Sequence, residues 1–122
     1  MSAKKTESWR DLPVWQKAHT AALAIYHLTK GFPPEECNRL SDQLCRVAAS
    51  IPTCIAEGKG QGPVAQFRQS LFAARGSIEE TRYLLLLARD LGYLTKVTHT
   101  AMESTYAEIS KMTDALIRSL KA

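Results

Sequence analysis

Four arginines, Arg68, Arg75, Arg82 and Arg89, recur every seven residues. Guanidinium groups in such a row have two main uses: binding phosphate oxygens, or pairing with carboxylates on a facing helix. Asp42, Glu103, Glu108 and Asp114 supply carboxylates for the second use. For the first, Lys59 together with Lys4 and Lys5 would extend the row into a basic stripe able to hold RNA or DNA. The overall balance suits a polyanion, with 16 Lys+Arg against 12 Asp+Glu and a net charge of +4. Glu57 is a different case. It falls near the C-terminal end of a helix, where the dipole disfavours negative charge, so it calls for a cation, with Arg68 or Arg75 as candidates for a structural ion pair.

Other chemistry finds no footing. His19, His27 and His99 form no HExxH or HxxxH pair, and no serine sits in a Gly-x-Ser-x-Gly elbow. Cys37, Cys45 and Cys54 are spaced 8 and 9 apart, which fits neither a disulfide framework nor a zinc site. Cys45 beside Arg46 could carry a lowered pKa, but a small buried hydrophobe accounts for a helical cysteine. The run Gly58-Lys59-Gly60-Gln61-Gly62-Pro63 invites a phosphate-loop reading. No strand precedes it and no Gly-Lys-Ser/Thr follows, so it reads as an interhelical turn. The expectation is a non-enzymatic protein with no metal, no cofactor and no small-molecule substrate.

These residues need elements to position them. A chain of 122 residues, 45% hydrophobic and 23% charged, is one domain by the rule of about 150 residues per domain. Disordered and low-complexity classes are excluded. Segment 1–8 reads as a mobile basic tail and 9–122 as the domain. Trp15, Ala18, Ala22, Ile25 and Thr29 mark a first helix over about 12–30, with Asp11 as its cap, Pro13 in its first turn and Lys30-Gly31 ending it. Leu40, Leu44, Val47 or Ala48, Ile51 and Ile55 mark a second, starting at Pro34 or after Ser41 and running through a kink at Pro52 to Gly58. Phe67, Leu71, Ala74, Ile78, Thr81, Leu85 and Ala88 form the seam of a third, opened by Pro63 and closed by Gly92. Thr95 caps a fourth that carries Val97, Ala101, Thr105, Ile109, Met112, Leu116 and Leu120. The economical fold is all-α, an antiparallel up-down-up-down four-helix bundle.

Tyr83 to Leu87 puts leucine on every side of the third helix, more apolar surface than one bundle face hides. Leu84, Leu86 and Leu87 are therefore candidate interface residues of a homo-oligomer. The apolar run Leu84 to Ala88 is far too short to span a bilayer, and the N-terminus has no apolar core behind its lysines. With its thiols read as reduced, the chain is expected to be cytoplasmic, without membrane contact.

Several blocks carry a family resemblance. Trp9-Arg10-Asp11-Leu12-Pro13-Val14-Trp15-Gln16-Lys17-Ala18 and Leu28-Thr29-Lys30-Gly31-Phe32-Pro33 resemble the opening of the 23S rRNA-intervening-sequence proteins, also called bacterial four helix bundle proteins. Gln43 to Gly58 continues the match, with Ser50-Ile51-Pro52-Thr53-Cys54-Ile55-Ala56-Glu57-Gly58 as its most specific block. Phe67 to Leu71, Ala74-Arg75-Gly76-Ser77 with Glu80, and Leu91-Gly92-Tyr93-Leu94 complete it. Members usually carry asparagine where this chain has Cys54 and arginine where it has Gln61; the first bears on a buried polar contact, the second on any grip of the loop on phosphate. The resemblance implies a four-helix bundle assembled as a ring-like homopentamer. It also implies a relation in shape to the accessory protein of diversity-generating retroelements, a basic protein that binds a reverse transcriptase and nucleic acid. Two functions follow as expectations: RNA or other nucleic-acid binding through Lys59, Arg68, Arg75, Arg82 and Arg89, or a protein-interaction scaffold without nucleic-acid contact.

Overall fold

A computed structural model describes residues 8–120. Four helices, α1 (Pro13–Thr29), α2 (Leu40–Gln61), α3 (Val64–Asp90) and α4 (Lys96–Ser119), are joined by short connections, with single 3-10 turns at Trp9–Asp11 and Pro34–Glu36. Strands are absent among the described residues. The proposed tail over 1–8 lies outside the described residues apart from Ser8.

Neighbouring helices run antiparallel. Across the α3–α4 seam Arg68 meets Ile117, Arg75 meets Asp114 and Arg82 meets Glu103, so one chain number falls as the other rises. Gln43 with Glu80 and Gly58 with Ser70 show the same for α2 and α3. Each helix packs against two others, α1 and α3 both against α2 and α4, which leaves α1 and α3 on one diagonal of the bundle. The core between them includes Ile25, Leu44, Ile51, Ile55, Leu71, Ile78, Leu85, Tyr106 and Ile109, all fully enclosed.

The expected seams of the second and third helices are buried, Phe67, Leu71, Ala74, Ile78, Thr81, Leu85 and Ala88 among them. α2 runs unbroken through Pro52, as its periodicity required. Several boundaries differ from expectation, each for a local reason. Asp11 is spent in the 3-10 turn, and Leu12 becomes the residue before α1, with Pro13 at its first position. Gly31 is not left-handed; α1 ends through Lys30, which stays right-handed and donates its N–H to the His27 carbonyl at 3.3 Å, while the Gly31 N–H donates to the Leu28 carbonyl at 3.1 Å. Ser41 does not cap α2. The Glu36 carboxylate does so from one turn upstream, accepting from the Leu40 N–H at 3.3 Å and from the Tyr93 hydroxyl at 2.8 Å.

Two corrections matter more. The presumed loop 58–63 is helix up to Gln61, and the chain turns only at Gly62 (φ 100°) and Pro63. Gly58 stays helical because it has no side chain: a Cβ there would collide with the Cβ of Ser70 and stand 3.2 Å from the Phe67 ring. The fourth helix is rotated from its expected phase. His99, Tyr106, Ile109, Thr113 and Ile117 are buried, while Val97 is 80% exposed. Its polar buried members misled the periodicity. The Thr113 hydroxyl settles on the Ile109 carbonyl at 2.8 Å, which lets threonine pass as a core residue. Thr95 does cap α4, accepting from the Thr98 N–H at 3.1 Å, and Gly92 (φ 85°) supplies the turn before it.

Candidate functional site

The seven-residue repeat lays the arginines along the edge of α3 that adjoins α4, and α4 answers three of them. Arg75 pairs with Asp114 at 2.9 Å. Arg82 is held by Glu103, with Nε at 3.1 Å, and by Glu79 at 3.2 Å. The hydrogen bond that Arg82 donates to the Glu103 carboxylate is the largest effect keeping the Arg82 guanidinium protonated beyond its already high ordinary range. Arg68 donates from Nε to the Ile117 carbonyl at 3.2 Å. Arg89 has no α4 partner and turns to its neighbour Asp90 at 2.9 Å. Arg75, Arg82 and Arg89 thus spend their charge on carboxylates within the chain, and two of them clamp α3 to α4.

Among the described residues no carboxylate lies within ion-pair distance of Lys59, Arg68 or Arg118. The antiparallel order brings these three to one end of the bundle, where α2 turns into α3 and α4 finishes. Lys59 stands 5.8 Å from the Phe67 ring centroid. Of the expected basic set, then, only Lys59 and Arg68 keep a charge available at a common end, and Arg118 joins them. Arg118 escaped notice because it belongs to no periodic row.

Glu57 does not find the expected partner. Arg68 and Arg75 point to α4, whereas Glu57 is exposed on the other side of α2. The helical rotation between positions 57 and 58 explains this: Gly58 is the residue that meets α3. In the same block Ile51, Pro52 and Ile55 are buried, the Ser50 hydroxyl donates to the Val47 carbonyl at 2.6 Å, and Ala56 is half-buried. Burial, then Glu57, pushes the Cys54 thiol up, away from reactivity.

Glu57 instead stands at one end of an open apolar groove of about 420 Å³ between α1 and α2. Trp9, Trp15, His19, Leu23 and Tyr26 line one side and Ala49, Pro52, Thr53 and Ala56 the other. Trp15 stacks on His19 with centroids 5.0 Å apart, and Trp9 tilts against Trp15 at 4.9 Å. A second groove of about 520 Å³ continues from Tyr26 to Phe32, Asp42 and Arg46. The sequence signal for this surface was the i, i+4, i+7 run His19, Leu23, Tyr26, which falls beside the core-facing positions of α1.

The leucine cluster divides. Leu84 is 3% exposed and belongs to the core, which corrects its assignment to an interface. Leu87 is half-buried against that core, and Leu86 is exposed. The exposed apolar residues of α3 instead form an outward stripe of Phe72, Tyr83 and Leu86, with Val64 at its start. Arg68 and Arg75 flank the Phe72 ring at 5.3 and 4.8 Å.

No group of three His, Cys, Asp or Glu side chains among the described residues could hold a metal ion, and no helix there is long and apolar enough to cross a membrane. Among curated proteins none matches the sequence. The chain is similar to a solved structure of a protein of unknown function from the S23 ribosomal protein family of Bacteroides thetaiotaomicron: 27% identity, 86% of this chain and 95% of that one covered, TM-score 0.80. The family model for the 23S rRNA-intervening sequence protein matches residues 10–115. Fold, motif order and extent agree, and the chain belongs to the 23S rRNA-intervening sequence protein family.

Proposed function

We propose that this protein is a non-enzymatic, self-associating helical bundle that presents a basic end to RNA or other nucleic acid. The observation that carries the reading is the gathering of Lys59, Arg68 and Arg118 at one end, without carboxylate partners among the described residues, while the rest of the arginine row is neutralised. Three cations on one bundle bind phosphate weakly. Repetition by self-association adds their fields and converts weak contacts into useful affinity. Two unpartnered apolar surfaces support self-association, the α1/α2 groove and the outward stripe of α3. The resemblance implies five copies, and a ring of five would set five basic ends on one rim.

A protein-interaction scaffold is the second reading. It is favoured by the α3–α4 ion pairs, which leave the arginine row little charge for phosphate. Titration of a labelled structured RNA with nuclease-treated protein, from about 50 to about 300 mM salt, separates the two. Binding through the basic end gives affinity that falls steeply with salt. Absence of binding at the lowest salt refutes it and leaves the scaffold.

A further inference from the structure

The two apolar surfaces match one another in height, in charge and in shape, and we infer that the α3 stripe of one copy seats in the α1/α2 groove of the next, giving a head-to-tail contact. The inference rests on the self-association proposed above and names the faces that perform it.

The registration comes from the chain's own α2–α3 seam. There Gly58 meets Phe67 and Ser70, and Gln43 meets Glu80. The numbers of facing residues therefore sum to about 125 throughout, because antiparallel helices climb by the same rise. Glu57 accordingly stands level with Arg68, Thr53 with Phe72, Ala49 with Gly76 and Arg46 with Glu79. In an assembly whose copies are related by rotation about an axis parallel to the bundle, heights carry over unchanged from copy to copy. Each of these pairs then meets across the contact.

Every pair is compatible. Glu57, which has no cation within ion-pair distance among the described residues, meets Arg68, which keeps its Nε on the Ile117 carbonyl and has no carboxylate; the contact takes Arg68 out of the basic end and leaves Lys59 and Arg118 as its cations. Phe72, 39% exposed, meets Thr53 and the buried ring of Pro52 beside it, in the part of the groove walled by Trp15 and Leu23. Gly76 meets Ala49, two small residues where helices must approach. Within its own protomer Gly76 has open space around it, with nothing within 4 Å of a Cβ placed there, so the protomer gives no reason for a glycine. Arg46, which pairs with Asp42 at 3.3 Å, comes level with Glu79, which pairs with Arg82 at 3.2 Å, so this meeting adds opposite charges to existing pairs and carries less than the Glu57–Arg68 pair. Further along, Tyr83 falls level with Asp42, in the second groove. The positions 49, 53, 57 and 68, 72, 76 advance by four on each helix, so both sets are continuous ridges rather than scattered matches.

A head-to-tail contact uses two different surfaces, and that makes it testable by complementation. Gly76→Arg blocks the stripe and Thr53→Arg blocks the groove, both at positions exposed in the protomer. Mass is read by light scattering on the separated protein, and helix content by circular dichroism; Gly76→Ala serves as a milder variant should Gly76→Arg fail to fold. Expected are an assembled wild type, two folded variants of the 13.5 kDa protomer mass, and a mixture of the two variants that forms a species of two copies and no larger. A monomeric wild type refutes self-association itself. An assembled wild type whose folded variants keep its mass refutes these faces and leaves self-association standing. Two monomeric variants that fail to join when mixed refute the head-to-tail arrangement.

Discussion

Gly58→Ala is the substitution whose effect the packing fixes best. In an isolated helix the change favours folding by about 1 kcal/mol, because alanine loses less backbone freedom than glycine. In this bundle the added methyl would overlap the Ser70 Cβ and stand 2.7 Å from its hydroxyl oxygen and 3.2 Å from the Phe67 ring. The Cβ of Ser70 is one bond from the backbone and cannot swing aside, so α3 itself must retreat from α2. Overpacking of this kind costs about 1–3 kcal/mol, and here it falls at the higher end, since the buried neighbours Ile55, Phe67 and Leu71 lose contact as the seam opens. The net expectation is a loss of about 1–2 kcal/mol, or roughly 4–8 °C in Tm for a chain of this size. Thermal unfolding by circular dichroism measures it. Ser70→Gly in the same chain removes the colliding atoms, so the double variant should recover part of the loss relative to Ser70→Gly alone. A Gly58→Ala protein more stable than wild type would show that the helices do not approach as described.

Other consequences follow from single groups. The Tyr106 hydroxyl is fully enclosed and has no hydrogen-bond partner among the described residues; Tyr106→Phe should stabilise the fold by about 1 kcal/mol at neutral pH in chemical denaturation. Burial also raises the Tyr106 pKa, so its neutral form is favoured by folding: that contribution is whole below the ordinary value of 10.0 and is lost as pH rises above it. The phenylalanine variant should accordingly lose less stability than wild type above about pH 10, and parallel alkaline curves would contradict the placement. Arg82→Gln loosens α3 from α4 by removing the link to Glu103 and Glu79, with an expected cost of about 1 kcal/mol that shrinks when Glu103→Gln is already present. Full additivity in that double-mutant cycle would deny the contact.

How much of this was legible in the sequence depended on how strongly each position was marked. α2 and α3 were read residue by residue because Leu44, Ile51, Ile55, Leu71, Ile78 and Leu85 are large aliphatics at unbroken helical spacing. α4 was not, because threonine, alanine and histidine lie on both of its sides and only packing decides which are inside. The glycine-rich stretch suggested a loop, since composition does not reveal that Gly58 is needed for close approach rather than for a turn. The arginine row is visible as a pattern, and of its four candidate carboxylates Glu103 and Asp114 do pair with it, whereas Asp42 and Glu108 pair with Arg46 and Lys17 and the row's other partners are Glu79 and Asp90 on its own helix; the pattern alone does not decide between clamp and ligand site. Glu57 fell on the wrong side because one residue along a helix is a rotation of 100°, enough to exchange α3 for the groove. The groove joins residues from Trp9 to Glu57, a meeting that only the paired helices create.

The division of labour among the cations is tested most directly by one comparison of RNA affinity at fixed low salt. Lys59→Glu with Arg118→Glu alters the basic end, while Arg75→Gln alters a guanidinium already held by Asp114. The account expects the double charge reversal to weaken binding by at least tenfold and to flatten its salt dependence, with Arg75→Gln within about twofold of wild type. Equal losses from both, or a loss confined to Arg75→Gln, would contradict it.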